Sequence, residues 1–315
     1  MTDIVVVGGG VIGLTAAAEL LARGHRVEVW TRDDVRDTVS AVAAAVWYPY
    51  LAEPRERVDA WAKETHARLV ELAAAPGSGV SLLPLVELFA TATPSLTFLP
   101  PGVAVTRRDP RPFGAGYGAA IELAVPLCDT TVYLPWLRDL VVARGGAIVR
   151  RELADFEPAF AAASVVVNCT GLGARELCGD GSLVPVRGQV LCVDAIELPH
   201  GLIDDTDPAQ PIYVLPRGGD VVLGGTAQRG VEDRDADPAA TGAIRVACER
   251  HFPALAHTAI RGVKVGLRPF RPAVRLEVDP GSERPLIHDY GHGGSGFTLA
   301  WGCAVEVANL VDAFE

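Results

Sequence analysis

The chain lacks an excess of basic charge. Of its 315 residues, 28 are lysine or arginine and 39 are aspartate or glutamate, a net charge of -11. Nucleic acid and anionic membrane surfaces both call for a basic footprint, so neither is expected as a partner. Apolar runs approaching a bilayer span are also missing, and the start passes straight into a strand pattern without signal-peptide character. The final residues, Val311-Asp-Ala-Phe-Glu315, are not a peroxisomal address. A cytoplasmic protein is therefore expected. The six cysteines, at 128, 169, 178, 192, 248 and 303, include no Cys-x-x-Cys pair and lie mostly in apolar runs. They read as buried thiols in a reducing compartment, with no disulfide framework and no metal site. Lysine is nearly absent (Lys63 and Lys264 alone) against many arginines, alanines and glycines, a bias that suits a GC-rich bacterial genome.

What is present is core. With 49% hydrophobic residues the chain can fill one large core or two closely packed domains. Residues 3–7 form an apolar run like a strand buried on both faces. Val11 to Arg23 has helical spacing and stops at Gly24, and His25 to Trp30 alternates into a second strand, so the chain opens as a βαβ unit. Helices are expected near 57–75, 134–144, 238–251 and 302–314. Strands are expected within 84–106, at 147–150 and 164–168, and from 188 to 225. The two kinds of strand interleave, which predicts an α/β protein with two discontinuous domains. Segments 1–50, 140–185 and 280–315 would build a Rossmann-type nucleotide domain. Segments 51–139 and 186–279 would build a substrate domain with a mostly antiparallel sheet.

Gly8-x-Gly10-x-x-Gly13 follows a strand and opens a helix. In that context Gly8 permits a tight turn, Gly10 lets backbone approach a pyrophosphate, and Gly13 lets helix pack on strand. Val11 and Ile12 lie at the helix N-terminus, whose free N–H groups favour an anion. The motif leaves NAD and FAD open. Arg32 and Asp33 end the second strand, and Arg32 would also suit a 2′-phosphate. A second glycine turn, Gly291-His-Gly-Gly-Ser-Gly-Phe-Thr298, precedes the last helix and aims its positive end at whatever lies above. His292 reads as structural. In Gly266-Leu-Arg-Pro-Phe-Arg-Pro-Ala-Val-Arg-Leu-Glu277, Arg268 and Arg271 read as salt-bridged. Arg275, between Val274 and Leu276, reads as a cation facing a cavity and hence a carboxylate clamp. Tyr213, in the strand Pro211-Ile-Tyr-Val-Leu-Pro216, reads on its own as a packing residue.

Taken with Ala44-Ala-Val-Trp-Tyr-Pro-Tyr50, Asn168-Cys-Thr-Gly171 and Val186-Arg-Gly-Gln189, these segments resemble, in order and spacing, the D-amino-acid oxidases. The resemblance spans essentially the whole chain and implies FAD. It implies that Arg275 holds the substrate α-carboxylate, that Tyr213 donates its hydroxyl to the same group, and that the Gly294 carbonyl accepts from the α-amine. It further implies FAD contacts from Thr38, Ala44, Ala45, Val46, Leu153, Thr170, Gly171, Gly293, Gly294, Ser295, Gly296, Phe297 and Thr298, beside Gly8, Gly10, Val11, Ile12, Gly13, Arg32 and Asp33. Tyr48 stands where mammalian members carry glutamine, and Ala209 where they carry a second lid tyrosine. Arg32 stands where they carry an acid.

The implied activity is oxidation of neutral D-amino acids to 2-oxo acids, with molecular oxygen consumed and ammonia and hydrogen peroxide released. D-aspartate oxidase and glycine or sarcosine oxidase are the nearest rivals. An NADP-dependent dehydrogenase and a nucleotide-binding protein without turnover are more distant ones. The acidic loop Asp204 to Pro211 disfavours acidic substrates. Arg217, after Tyr213, is the one cation that would reverse this by swinging inward. A homodimer is left open.

Overall fold

The computed structural model describes residues 1–49 and 52–314; Tyr50, the last residue of the Ala44–Tyr50 motif, lies outside them. The strands are β1 (Asp3–Val7), β2 (Arg26–Thr31), β3 (Val80–Phe89), β4 (Val105–Arg108), β5 (Ala119–Cys128), β6 (Ala147–Arg150), β7 (Val165–Asn168), β8 (Val184–Asp194), β9 (Gly201–Asp204), β10 (Ile212–Pro216), β11 (Asp220–Gly224), β12 (Gln228–Arg229), β13 (Ile260–Val278) and β14 (Leu286–His292). The α-helices are α1 (Val11–Ala22), α2 (Val39–Val42), α3 (Arg55–Ala73), α4 (Thr130–Ala143), α5 (Glu157–Ala162), α6 (Ala174–Leu177), α7 (Pro238–His251) and α8 (Gly296–Asp312).

Hydrogen bonding links the strands in the order β4-β5-β3-β9-β10-β11-β8-β13-β14-β7-β1-β2-β6, with β12 on β8. From β14 to β6 every pair is parallel, and at the centre of this set β1 and β7 are apolar runs buried on nearly every residue. From β10 across to β14 the pairs are antiparallel. This is the α/β architecture expected. β13 belongs to both halves: Ile260–Phe270 pairs with β8, and Arg275–Val278 pairs with β14. The register shifts between Phe270 and Arg275.

β5 carries no helical spacing but also little alternation, since nearly all of its side chains are buried, and it escaped the sequence reading. α8 begins at Gly296, six residues before the expected start, because the glycine turn closes directly into helix. Asp129 and Asp237 accept the N–H of Thr131 and Ala239 and so cap α4 and α7. Among the described residues no helix is long and apolar enough to cross a membrane.

The main core lies where α1, α3 and α8 pack together beside the parallel strands. Gly302 of α8 sits against the backbone of Trp61 in α3, where any Cβ would collide with it, and its N–H donates to the Thr65 hydroxyl at 2.9 Å. The indoles add anchors. Trp301 donates to the Tyr133 hydroxyl at 2.9 Å, and Trp47 to the Ala62 carbonyl at 2.9 Å. Gly302→Ala is expected to cost about 1–3 kcal/mol through overpacking. Gly242 lies in α7 with open space around its Cα, so Gly242→Ala is expected to gain about 0.5–1 kcal/mol. Urea unfolding of the two variants beside the parent checks both signs.

Candidate active site

A single elongated cavity of about 470 Å³ runs from the carboxyl ends of β1, β2 and β7 to the inner face of the antiparallel sheet. Crevices at such strand ends are where doubly wound sheets bind ligands.

At the first end, Gly8 has φ +121° and any side chain there would strike the Cys169 carbonyl. A Cβ on Gly13 would strike the Gly8 carbonyl, so strand and helix meet backbone to backbone. Gly10 is the N-cap of α1 and has no side chain to cap it, and the first turn holds no acid. The Val11 N–H is taken by the Ser40 hydroxyl, but the positive end of the helix still favours an anion. Arg32 reaches Asp33 at 3.1 Å and Glu152 at 3.8 Å, so it is committed to carboxylates and is no free receptor for a 2′-phosphate. Between the glycine turns lies Asp289, 1% exposed, with neither carboxylate oxygen hydrogen-bonded within the chain. The nearby His292 ring nitrogen is 3.2 Å from one oxygen but also 3.5 Å from the Cys303 sulfur. A buried carboxylate facing a cavity fits a ligand rich in hydroxyl donors. Dinucleotide cradle, helix N-termini and orphaned acceptor together fit FAD.

Midway, Ala45 holds φ 59°, an uncommon conformation for a residue with a Cβ. Its neighbourhood is pinned to β5: Cys128 donates to the Ala45 carbonyl at 3.0 Å and Trp47 to the Pro126 carbonyl at 2.8 Å. Thr298 bonds the Tyr48 backbone from both sides, accepting its N–H at 3.1 Å and donating to its carbonyl at 3.0 Å.

At the far end the cavity is lined by Tyr48, Ile203, Asp205, Tyr213, Leu215 and Arg268. Tyr213 lies flat over Gly224 on the adjacent strand, where a side chain would overlap its ring. Arg268 lies likewise over Gly188 of β8 and donates to the Thr226 carbonyl at 3.0 Å. Among the described residues no carboxylate pairs with it. Gly293 donates to the Pro269 carbonyl at 2.9 Å, which fastens the second glycine turn beside Arg268. The Tyr48 hydroxyl donates to Glu87. Burial pushes the Glu87 carboxyl up to about 8, and burial also raises Asp205.

Of the residues singled out in the sequence, Gly8, Gly10, Val11, Ile12, Arg32, Asp33, Thr38, Ala44, Ala45, Val46, Tyr48, Leu153, Thr170, Gly171, Tyr213, Gly293, Gly294, Gly296 and Phe297 all line this one cavity. Gly13, Ser295 and Thr298 stand behind its wall. Arg275 is elsewhere. It opposes Tyr290 in the β13–β14 ladder, donates to Glu277 at 2.8 Å and to the Tyr290 hydroxyl at 2.9 Å, and lies 3.8 Å from Asp279. Alternation about Val274 and Leu276 does not tell which face of the strand meets the cavity; Arg268, not Arg275, is the arginine that lines it. Arg271 is salt-bridged, to Asp180 at 2.9 Å. Arg217 is buried and locked on Asp220 at 2.8 Å and on the Thr130 hydroxyl at 3.1 Å, so it does not swing inward. Sequence reasoning also passed over Ser40, whose hydroxyl accepts the Val11 N–H at 3.0 Å, and Asp289. Asp289 carries a signal in hindsight: a carboxylate in a wholly buried strand.

Residues 3–310 match the family model described as FAD dependent oxidoreductase. The D-amino-acid oxidase of Rubrobacter xylanophilus is 43% identical over 98% of this chain and 95% of its own length. The D-amino-acid oxidase of Streptomyces coelicolor is 42% identical, over 98% and 96%. Among solved structures, a glycine oxidase from Geobacillus kaustophilus superposes with a TM-score of 0.82 at 21% identity, covering 99% of this chain and 95% of that one, a likeness of fold. Because the match runs from the first strand into the last helix and takes in both ends of the cavity, the chain belongs to the D-amino-acid oxidase family of FAD-dependent oxidoreductases and is an FAD-dependent enzyme.

Proposed function

We propose that the protein oxidatively deaminates D-amino acids whose side chains carry no carboxylate, the neutral ones included, giving the 2-oxo acid, ammonia and hydrogen peroxide. The observation that carries this reading is the Arg268 guanidinium and Tyr213 ring in one chamber that continues into the dinucleotide cradle. The Gly8–Ile12 turn and the α1 N-terminus would hold the FAD pyrophosphate, Asp289 would accept from hydroxyls, and the turn Gly293–Phe297 with the α8 N-terminus would face developing negative charge. FAD held there would supply the acceptor for the α-hydrogen as hydride, with molecular oxygen as the final oxidant. Arg268 and Tyr213 would grip the α-carboxylate, and the Gly294 carbonyl would accept from the α-amine. Those three points leave one enantiomer able to present its Cα–H with its side chain in the pocket, a contribution of positioning and not of acid–base chemistry. Six free cysteines, five of them buried, support a reducing cytoplasmic setting.

FAD is expected to copurify without a covalent link, so that acid precipitation leaves all the yellow colour in the supernatant; colour in the pellet would contradict it. Asp289→Ala is expected to weaken FAD binding about tenfold, the worth of one buried charge-assisted hydrogen bond. Titrating deflavinated protein with FAD and following flavin fluorescence measures this independently of turnover. For the substrate clamp, Arg268→Met is expected to keep FAD but to lose about a hundredfold in affinity for benzoate, a carboxylate without an amine. Arg275→Met is expected to bind benzoate like the parent and to lose stability instead. Flavin difference spectra separate the two, and parent-like benzoate binding by Arg268→Met would sink the clamp.

A further inference from the structure

Charge in the substrate chamber is segregated. Its cations lie toward β8 and β13: Arg268, and Arg234 on the loop whose Asp233 and Asp235 carbonyls accept from Arg187 of β8. Its acid lies across β10 and β11, where Asp205 follows β9 and lines the cavity. Behind that wall, the buried Glu87 of β3 holds the Tyr48 hydroxyl and feels the Asp205 charge. The neighbouring Asp204 faces the other way, accepting from the Tyr117 hydroxyl at 2.5 Å and from Thr206. Among the described residues no cation pairs with Asp205. Arg55, which acts electrostatically on Tyr48, is held by Asp59 at 3.0 Å, and Arg217 by Asp220. A half-buried carboxylate with no cationic partner among the described residues, in the wall of a cavity whose opposite wall is cationic, is complementary to one kind of ligand. That ligand carries its carboxylate at one end and a second positive charge at the other.

Resting on the oxidase reading above, we infer that Asp205 is the side-chain specificity residue and selects D-amino acids with a cationic side chain, such as D-lysine and D-arginine, over neutral molecules of the same length. With its α-carboxylate on Arg268, such a substrate directs its side chain away from β13, toward β9. There the ammonium or guanidinium meets Asp205 in a low-dielectric pocket, where a charge-assisted bond outweighs an exposed one. Glu87 adds a second acceptor behind Tyr48. Burial, with the Asp205 charge adding to it, pushes its carboxyl up to about 8, so an arriving positive charge draws it toward ionisation. D-aspartate and D-glutamate meet repulsion at the same point.

The test compares D-lysine with D-norleucine, its uncharged counterpart, in the holoenzyme with a peroxide readout. The parent is expected to show kcat/KM about tenfold or more higher for D-lysine. Asp205→Asn is expected to abolish that ratio, lowering kcat/KM for D-lysine about tenfold more than for D-norleucine, with flavin content retained. Asp205→Arg is expected to bring D-glutamate above D-lysine. Equal kcat/KM for D-lysine and D-norleucine in the parent overturns the inference while leaving the oxidase reading intact, and so does an Asp205→Asn variant that keeps the parental ratio. Preference of the parent for D-glutamate overturns it too, and would assign the chamber's character to Arg234. Failure of every D-amino acid to bleach the flavin is a different result, because it strikes the oxidase reading itself.

Discussion

At the mouth of the first βαβ unit, three backbones come together with no room for a side chain between them. The Gly8 carbonyl lies under Gly13, and the Cys169 carbonyl lies against Gly8. This contact sets where α1 begins relative to β1 and how closely β7 follows, and through β7 it sets where β14 ends. Since β14 feeds the second glycine turn and α8, both positive helix ends are aimed by the same close approach. A methyl group at either glycine would push apart the two surfaces that form the cradle.

β13 then carries the geometry from cofactor to substrate. Its first half is a rung of the antiparallel sheet and its second half a rung beside the parallel one. Gly293 bonds to Pro269 in the middle of it. Arg268 and the second glycine turn, which line the same cavity, are therefore fixed to each other through one continuous strand. A bulge in that strand reconciles two sheets that want different faces of it.

The sequence disclosed the ends of this chain far better than its middle. Gly8 to Gly13 and Gly291 to Thr298 are legible because their function is a backbone conformation, and glycine at fixed offsets reports backbone conformation directly. β1 and β7 are legible because desolvation on both faces favours runs of apolar residues. Arg275 misled for a specific reason. Face alternation separates the two sides of a strand but does not say which side meets a cavity, so the choice among Arg268, Arg271 and Arg275 waits on the tertiary packing. The approach of Glu87 to the loop acid Asp205 was hidden for another reason. They meet through β3 and β9, strands far apart in the chain, and no local pattern records that pairing.

Tyr213 and Arg268 share an arrangement with a consequence for how such a pocket can change. Each lies across a glycine on a neighbouring strand, Gly224 and Gly188, and occupies the volume that a side chain there would take. The functional group and the emptiness beneath it form one inherited unit split over two distant codons. A library that randomises the pocket lining but treats Gly188 and Gly224 as inert scaffold will sample useful variants. One that treats them as free positions will mostly displace Tyr213 and Arg268 from the cavity wall. Diversification of this fold should therefore move through Asp205, Tyr48 and the loop beyond β9, where a side chain can be exchanged without its footprint having to be exchanged as well.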